Sequence, residues 1–276
     1  IGGAATINFG FINVAWAILS VVFVVFLTGT PISYYAAKYG VDIDLLTRGA
    51  GFGYIGSTIT SLIYASFTFI FFALEAAIMA MALHILFGIS LEIGYVISAL
   101  IVLPLVTHGV SYISRFQVWS QPIWVILQLV PLFFVFQHPD SNFKDWIAFT
   151  GIGENETEAG NFNLLLFGSA SAILLSLVAQ IGEQVDFLRF LPERPKAGRF
   201  KWWFALIAAG PGWILFGALK LFLGSFLAYF ALTQGMDIDL ADDPAHMYNL
   251  AFSLVFDNPT ISLIFACSFV VISQLK

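Results

Sequence analysis

Long apolar runs separated by short polar loops dominate the chain and predict membrane-spanning helices. Such a helix needs about 20 mainly apolar residues, and seven runs approach or exceed that length. The predicted spans are Phe9–Ala36, Gly56–Leu86, Gly88–Thr107, Val118–Gln137, Phe162–Gly182, Trp202–Leu232 and Thr260–Leu275. We therefore expect an all-α integral membrane protein in which residues 1–276 form a single transmembrane domain.

Composition agrees with this class. The chain is 59% hydrophobic and 10% charged, whereas soluble domains are roughly 25% charged, so it lacks the charged surface of a soluble protein. The lone cysteine, Cys267, lies in an apolar run and excludes a disulfide within the chain. The chain begins at Ile1 and stops at Lys276 directly after an apolar run, so we expect it to be part of a longer protein.

The distribution of basic residues predicts the orientation. Alternate loops on one side carry eight Lys and Arg residues, and the opposite loops carry one, Lys144. The eight are Lys38, Arg48, Arg115, Arg189, Arg194, Lys196, Arg199 and Lys201. The opposite loops are acidic instead, with Glu154, Glu156, Glu158, Asp237, Asp239, Asp242 and Asp243. Because cytoplasmic loops are enriched in Lys and Arg, we expect the basic loops in the cytoplasm.

Glu75 is the strongest candidate for a functional residue. It lies in the middle of an uncharged stretch, Ile59–Leu83, where an ionisable side chain costs roughly 2.5–3.5 kcal/mol on insertion scales. Lys220 is a second charge within a predicted span, at a comparable helical distance from the cytoplasmic end, so a Glu75–Lys220 pair is conceivable. The alternatives are a structural hydrogen bond for Glu75 and an extension of Lys220 to the outer interface.

Two predicted spans contain residues that weaken helices. Gly168-Ser169-Ala170-Ser171 lies near mid-bilayer in the fifth span, where it indicates either close helix packing or a discontinuous helix at a binding site. Gly210-Pro211-Gly212 predicts a kink in the sixth span. We find no metal, phosphate-loop or nucleophile motif, so we expect no enzyme activity, metal or cofactor. We also expect no nucleic-acid partner.

Three stretches together resemble the nucleobase:cation symporter-1 family, the purine–cytosine permease-like proteins. The first runs from Thr28-Gly29-Thr30-Pro31 through Lys38-Tyr39-Gly40-Val41 to Arg48-Gly49-Ala50-Gly51-Phe52-Gly53. The second runs from Gly109 through Arg115-Phe116 and Trp119 to Pro122, and the third is Gln184-Val185-Asp186-Phe187-Leu188-Arg189-Phe190. On this register the chain is similar to the family's helices two to eight.

The resemblance implies a partial LeuT-type bundle of inverted repeats, with the fifth span interrupted near Gly168–Ser171. It also implies that Phe71 stacks on a planar base and that Glu75 stands where the family often has an amide. The predicted substrate-binding residues are Phe71, Glu75, Gly168, Ser169, Ser171, Ser176 and Gln180.

We therefore expect a multi-pass protein of the cell (inner or plasma) membrane that transports a nucleobase or similar small nitrogenous solute, coupled to Na⁺ or H⁺. Its expected partners are that solute and the lipid bilayer. The alternative is a transporter-like sensory membrane domain of a signalling protein, such as a sensor kinase, that binds the same kind of solute.

Overall fold

The computed structural model describes residues 1–152, 159–195 and 199–275. Within these ranges the protein contains helices and no strands, which confirms the all-α prediction. The helices are α1 Gly2–Phe9, α2 Phe11–Tyr39, α3 Ile43–Thr47, α4 Gly53–Phe87, α5 Leu91–Thr107, α6 Val110–Gln137, α7 Phe143–Ile147, α8 Leu164–Leu175, α9 Ile181–Leu188, α10 Arg199–Ala209, α11 Trp213–Thr233, α12 Ile238–Ala241, α13 Pro244–Ser253 and α14 Pro259–Leu275.

Five helical segments are long and apolar enough to cross a membrane, as expected for a membrane protein. They are Phe11–Tyr39, Ile43–Phe87, Ser111–Gln137, Leu164–Leu188 and Trp213–Thr233. Two further apolar helices, Leu91–Thr107 and Pro259–Leu275, are shorter. Each predicted span overlaps one of these segments. Four charged residues used to predict the orientation, Glu154, Glu156, Glu158 and Lys196, lie outside the described residues, and the orientation stays a prediction.

The sixth predicted span, Trp202–Leu232, is two helices rather than one kinked helix. α10 ends at Ala209 and α11 begins at Trp213, with a turn at Gly210-Pro211-Gly212 between them. Pro211 has no backbone N–H to continue the helical bonding. The amide of Gly212 donates instead to the carbonyl of Ile207, at 2.7 Å. The residues that predicted a kink therefore end one helix and begin the next.

The predicted interruption at Gly168–Ser171 is wrong. α8 is α-helical from Leu164 to Leu175 and includes all four of these residues. Glycine inside a helix costs about 1 kcal/mol relative to alanine, which the intact helical hydrogen bonds outweigh. The segment leaves α-helical geometry later, in a 3₁₀ turn at Ser176–Gln180. Here the Ser176 hydroxyl donates to the carbonyl of Ile173, at 2.6 Å.

The described helices divide into two compact units. The first comprises residues Ile1–Phe69 and Lys144–Phe226. Its main apolar cluster joins α2, α8 and α11 through side chains such as Val14, Ile18, Leu174 and Ile214. A second cluster, which includes Val185, Leu188, Trp202 and Leu206, packs α9 and α10 against the end of α2.

The second unit comprises residues Ile70–Phe143 and Leu227–Lys276. Here α13 and α14 pack together and against α6. The Tyr248 and Phe269 rings pack with their centroids 4.0 Å apart. Gly94 lets α5 approach α4 closely, because a Cβ there would lie 2.9 Å from the Cβ of Ala80. Of these helices, α4, α5, α6 and α14 also line a cavity.

Candidate functional site

Glu75 lines a cavity within the second unit. The residues that α4 contributes share one helical face, at spacings of three and four residues, and are Phe72, Glu75, Ala76 and Met79. Met79 is buried, with 1% of its surface exposed, whereas Glu75 is an exposed residue. These four residues form a stripe along α4 that borders the cavity, with Glu75 at an exposed position and Met79 at a buried one.

Three other helices complete the lining. α5 contributes Val102, Leu105 and Val106, α6 contributes Ile113 and Phe116, and α14 contributes Gln274 and Leu275. Every lining residue is apolar except Glu75 and Gln274. The cavity has a volume of about 110 Å³. This volume is smaller than the roughly 150 Å³ of a cavity that holds benzene, so the space is at most on the scale of one small ring.

The aromatic lining of this cavity differs in detail from the prediction. Phe72 and Phe116 contribute rings to it, whereas the resemblance pointed to Phe71. Phe71 is half-buried and lies four residues before Glu75, so it shares a helical face with the carboxyl. Phe72 lies three residues before Glu75, which also places it beside the carboxyl on the helix surface. The predicted stacking role of Phe71 stays a prediction.

The other predicted substrate-binding residues belong to the first unit. Gly168 is exposed, and Ser169 and Ser171 are half-buried on α8. The hydroxyl oxygen of Ser171 is buried and has no hydrogen-bond partner among the described residues. Ser176 and Gln180 are the first and last residues of the 3₁₀ turn. Their predicted place in one site with Glu75 stays a prediction.

Lys220 also belongs to the first unit, where it is an exposed residue of α11. Its predicted pairing with Glu75 stays a prediction. Within the described parts of the chain, no group of three or more His, Cys, Asp and Glu side chains is placed to hold a metal ion.

Gln184 has a structural role that sequence analysis did not assign. It is 3% exposed, and its Nε2 donates to the carbonyl of Gly29 on α2 at 3.1 Å. Its Oε1 accepts a hydrogen bond from Nε1 of Trp213 on α11 at 3.2 Å. A Cβ at position 29 would lie 3.1 Å from the same Nε2, so the glycine permits this approach. Gln184 thus joins three helices of the first unit.

Two of the basic loop residues in the first unit, Arg48 and Arg189, are paired with acids. Arg48 Nη2 lies 2.6 Å from Asp44 Oδ2, and Arg189 Nη1 lies 3.8 Å from Asp42 Oδ2. The Ser61 hydroxyl donates to Asp44 Oδ1 at 3.2 Å. These contacts hold α3, which buries none of its residues, against α4 and the end of α9. They indicate a structural role for residues that the sequence presented as loop charges.

A buried polar contact also holds the second unit together. Nε2 of Gln128 on α6 donates to the hydroxyl of Tyr248 on α13, at 2.6 Å. Burial raises the pKa of the Tyr248 phenol above its ordinary value, and the hydrogen bond from Gln128 opposes this shift. Tyr248 therefore stays neutral and well packed at physiological pH.

Comparison of the chain with protein-family models, with curated proteins and with solved structures gives no match.

Proposed function

We propose that this protein is a secondary active transporter of a nucleobase or similar small nitrogenous solute. We further propose that transport is coupled to Na⁺ or H⁺ and that the protein lies in the cell membrane. We also propose that its complete helical bundle has the LeuT-type arrangement. Three stretches of the sequence that resemble the nucleobase:cation symporter-1 family support it.

One observation carries the proposal: Glu75 lies within a helical segment of membrane-spanning length and lines an otherwise apolar cavity. A carboxyl at that depth is costly to retain. A solute that offers N–H groups can hydrogen-bond to this carboxyl, because a carboxylate accepts hydrogen bonds and a protonated carboxyl can also donate one. Phe72 and Phe116 add aromatic walls, and aromatic rings pack favourably against a flat solute.

The same carboxyl supplies a group for proton coupling. Glu75 can hold a proton in one state and release it in another, while the solute occupies the adjacent cavity. The 3₁₀ turn at Ser176–Gln180 is the described departure from α-helical geometry within the Leu164–Leu188 segment. Mid-helix 3₁₀ turns often mark functional hinges. We therefore propose that the helix is discontinuous at this turn and not at Gly168–Ser171.

Uptake by proteoliposomes tests the proposal. The purified full-length protein is reconstituted, and accumulation of radiolabelled uracil, cytosine, adenine, guanine and thymine is measured with and without Na⁺ and pH gradients. We expect gradient-driven accumulation of at least one base. If protons couple through Glu75, Glu75→Gln should flatten the pH dependence of uptake while binding of a neutral base persists.

Two results would contradict transport. Binding of a base without accumulation under any gradient would favour the sensory membrane domain, which uses the same site without moving the solute. No binding of any base would reject both functions. If Glu75→Gln and Glu75→Ala leave binding and the pH profile unchanged, Glu75 is structural.

A further inference from the structure

The cavity beside Glu75 has a second polar group, Gln274 of α14, which sequence analysis did not select. Both side chains line the same space, on different helices. The remaining lining is aliphatic or aromatic. A small number of polar groups beside an otherwise apolar pocket fixes the orientation of a ligand.

The position of Gln274 is set by the residue before it. Nε1 of Trp124 on α6 donates to the Ser273 hydroxyl at 2.8 Å. One turn earlier on α14, the Phe269 ring stacks on Trp124 with the centroids 6.3 Å apart. The Tyr248 ring packs against the same phenylalanine at 4.0 Å. The end of α14 is therefore held against α6, which brings Gln274 to the cavity.

The two polar groups differ in what they offer a ligand. An ionised carboxyl accepts hydrogen bonds, whereas a glutamine amide both donates and accepts. A solute edge with adjacent N–H and C=O groups satisfies both, with its N–H toward Glu75 and its C=O toward the Gln274 amide. The volume of about 110 Å³ is already smaller than the roughly 150 Å³ of a cavity that holds benzene, so the fused rings of a purine fit it less well than one ring does.

We propose that Gln274 is a specificity-determining residue that selects single-ring solutes with adjacent N–H and C=O groups. This inference rests on the proposed function. Pyrimidine bases have this edge, and 1,3-dimethyluracil keeps the ring and its carbonyls but lacks the N–H groups. Uracil should therefore bind more tightly than its dimethyl analogue and more tightly than the purines adenine and guanine.

Isothermal titration of the purified full-length protein with these compounds tests the assignment. Gln274→Leu keeps the approximate volume and removes the amide, and it should weaken uracil binding about fivefold to tenfold, the equivalent of one hydrogen bond. Gln234→Leu is the matched control, because Gln234 is exposed and its Nε2 donates to Asp140 at 3.1 Å. That control should leave uracil binding unchanged.

The outcomes separate this inference from the proposed function. If Gln274→Leu and Gln274→Glu both bind uracil as well as the Gln234→Leu control while Glu75→Ala weakens binding, the role of Gln274 is rejected and the proposed function stands. Tighter binding of purines than of uracil to the native protein rejects the single-ring selectivity alone. If no nucleobase binds, the proposed function fails and the inference fails with it. The melting temperature of each variant shows whether it remains folded.

Discussion

Gln184→Leu should destabilise the first unit measurably, because it removes a buried amide that joins three helices. Leucine is similar in size but makes neither hydrogen bond of Gln184. These bonds are Nε2 to the Gly29 carbonyl at 3.1 Å and Trp213 Nε1 to Oε1 at 3.2 Å. The substitution therefore leaves the indole N–H of Trp213 without its present acceptor.

The magnitude follows from two bounds. Hydrogen bonds between membrane helices average about 0.6 kcal/mol in double-mutant cycles and reach about 1.7, so two bonds give roughly 1.2 kcal/mol. An unsatisfied buried polar group costs about 1–3 kcal/mol. Because Gln184 is only 3% exposed, water replaces its contacts poorly. We expect a loss of about 1–3 kcal/mol in the free energy of unfolding.

Unfolding by SDS in mixed micelles, followed by circular dichroism, measures this loss. The exposed Gln234→Leu control should change the free energy of unfolding by less than about 0.5 kcal/mol. In a cycle with Trp213→Phe, the double variant should be destabilised by less than the sum of the single variants, with a coupling of about 0.6–1.7 kcal/mol. Zero coupling, or a Gln184→Leu loss no larger than that of the control, would show that the hydrogen bonds of Gln184 do not stabilise the first unit.

Three further predictions concern other parts of the molecule. Arg189→Ala should cost at most about 1 kcal/mol more than Arg194→Ala in the same unfolding assay, because the Asp42–Arg189 pair is about one-third exposed; a larger difference would contradict this. The pKa of Tyr248 is raised in the folded protein, so the protonated phenol contributes fully to the free energy of unfolding below about pH 10, and this contribution is lost as pH rises through the folded-state pKa. Tyr248→Phe should therefore lose less free energy of unfolding than the native protein as the pH rises above about 10. A cysteine at Asp242 should react with an impermeant thiol reagent outside intact cells, and one at Arg194 should not; the reverse would overturn the orientation.

The helices and the candidate carboxyl could be predicted from the sequence because their signals are local. Apolar runs of membrane length predict helices whatever their partners are. Glu75 was detectable because it interrupts such a run. The stripe of Phe72, Glu75, Ala76 and Met79 also follows from helical spacing alone. Which face of the helix meets a cavity depends on α5, α6 and α14, and no sequence pattern gave that arrangement.

The errors arose where local propensity competes with hydrogen bonding or packing. Gly168 and its serine neighbours lower helix propensity, yet α8 keeps its helical hydrogen bonds through them. The actual departure at Ser176–Gln180 has no glycine or proline to mark it. Gln184 and Gln274 were overlooked as sites because a single glutamine near the end of an apolar run has no distinctive spacing. Gln184 becomes informative through its long-range hydrogen bonds, and Gln274 through the cavity that it lines.

Equilibrium binding to Glu75→Ala tests whether the cavity beside Glu75 is the solute site. The full-length protein is titrated with radiolabelled nucleobases beside a matched variant, Glu92→Ala, which removes an exposed acid from the first turn of α5. We expect Glu92→Ala to bind as the native protein does, whereas Glu75→Ala should bind about tenfold or more weakly, as expected for loss of a charged hydrogen bond. Equal affinities for the native protein and both variants would contradict the assignment of Glu75 and its cavity as the solute site.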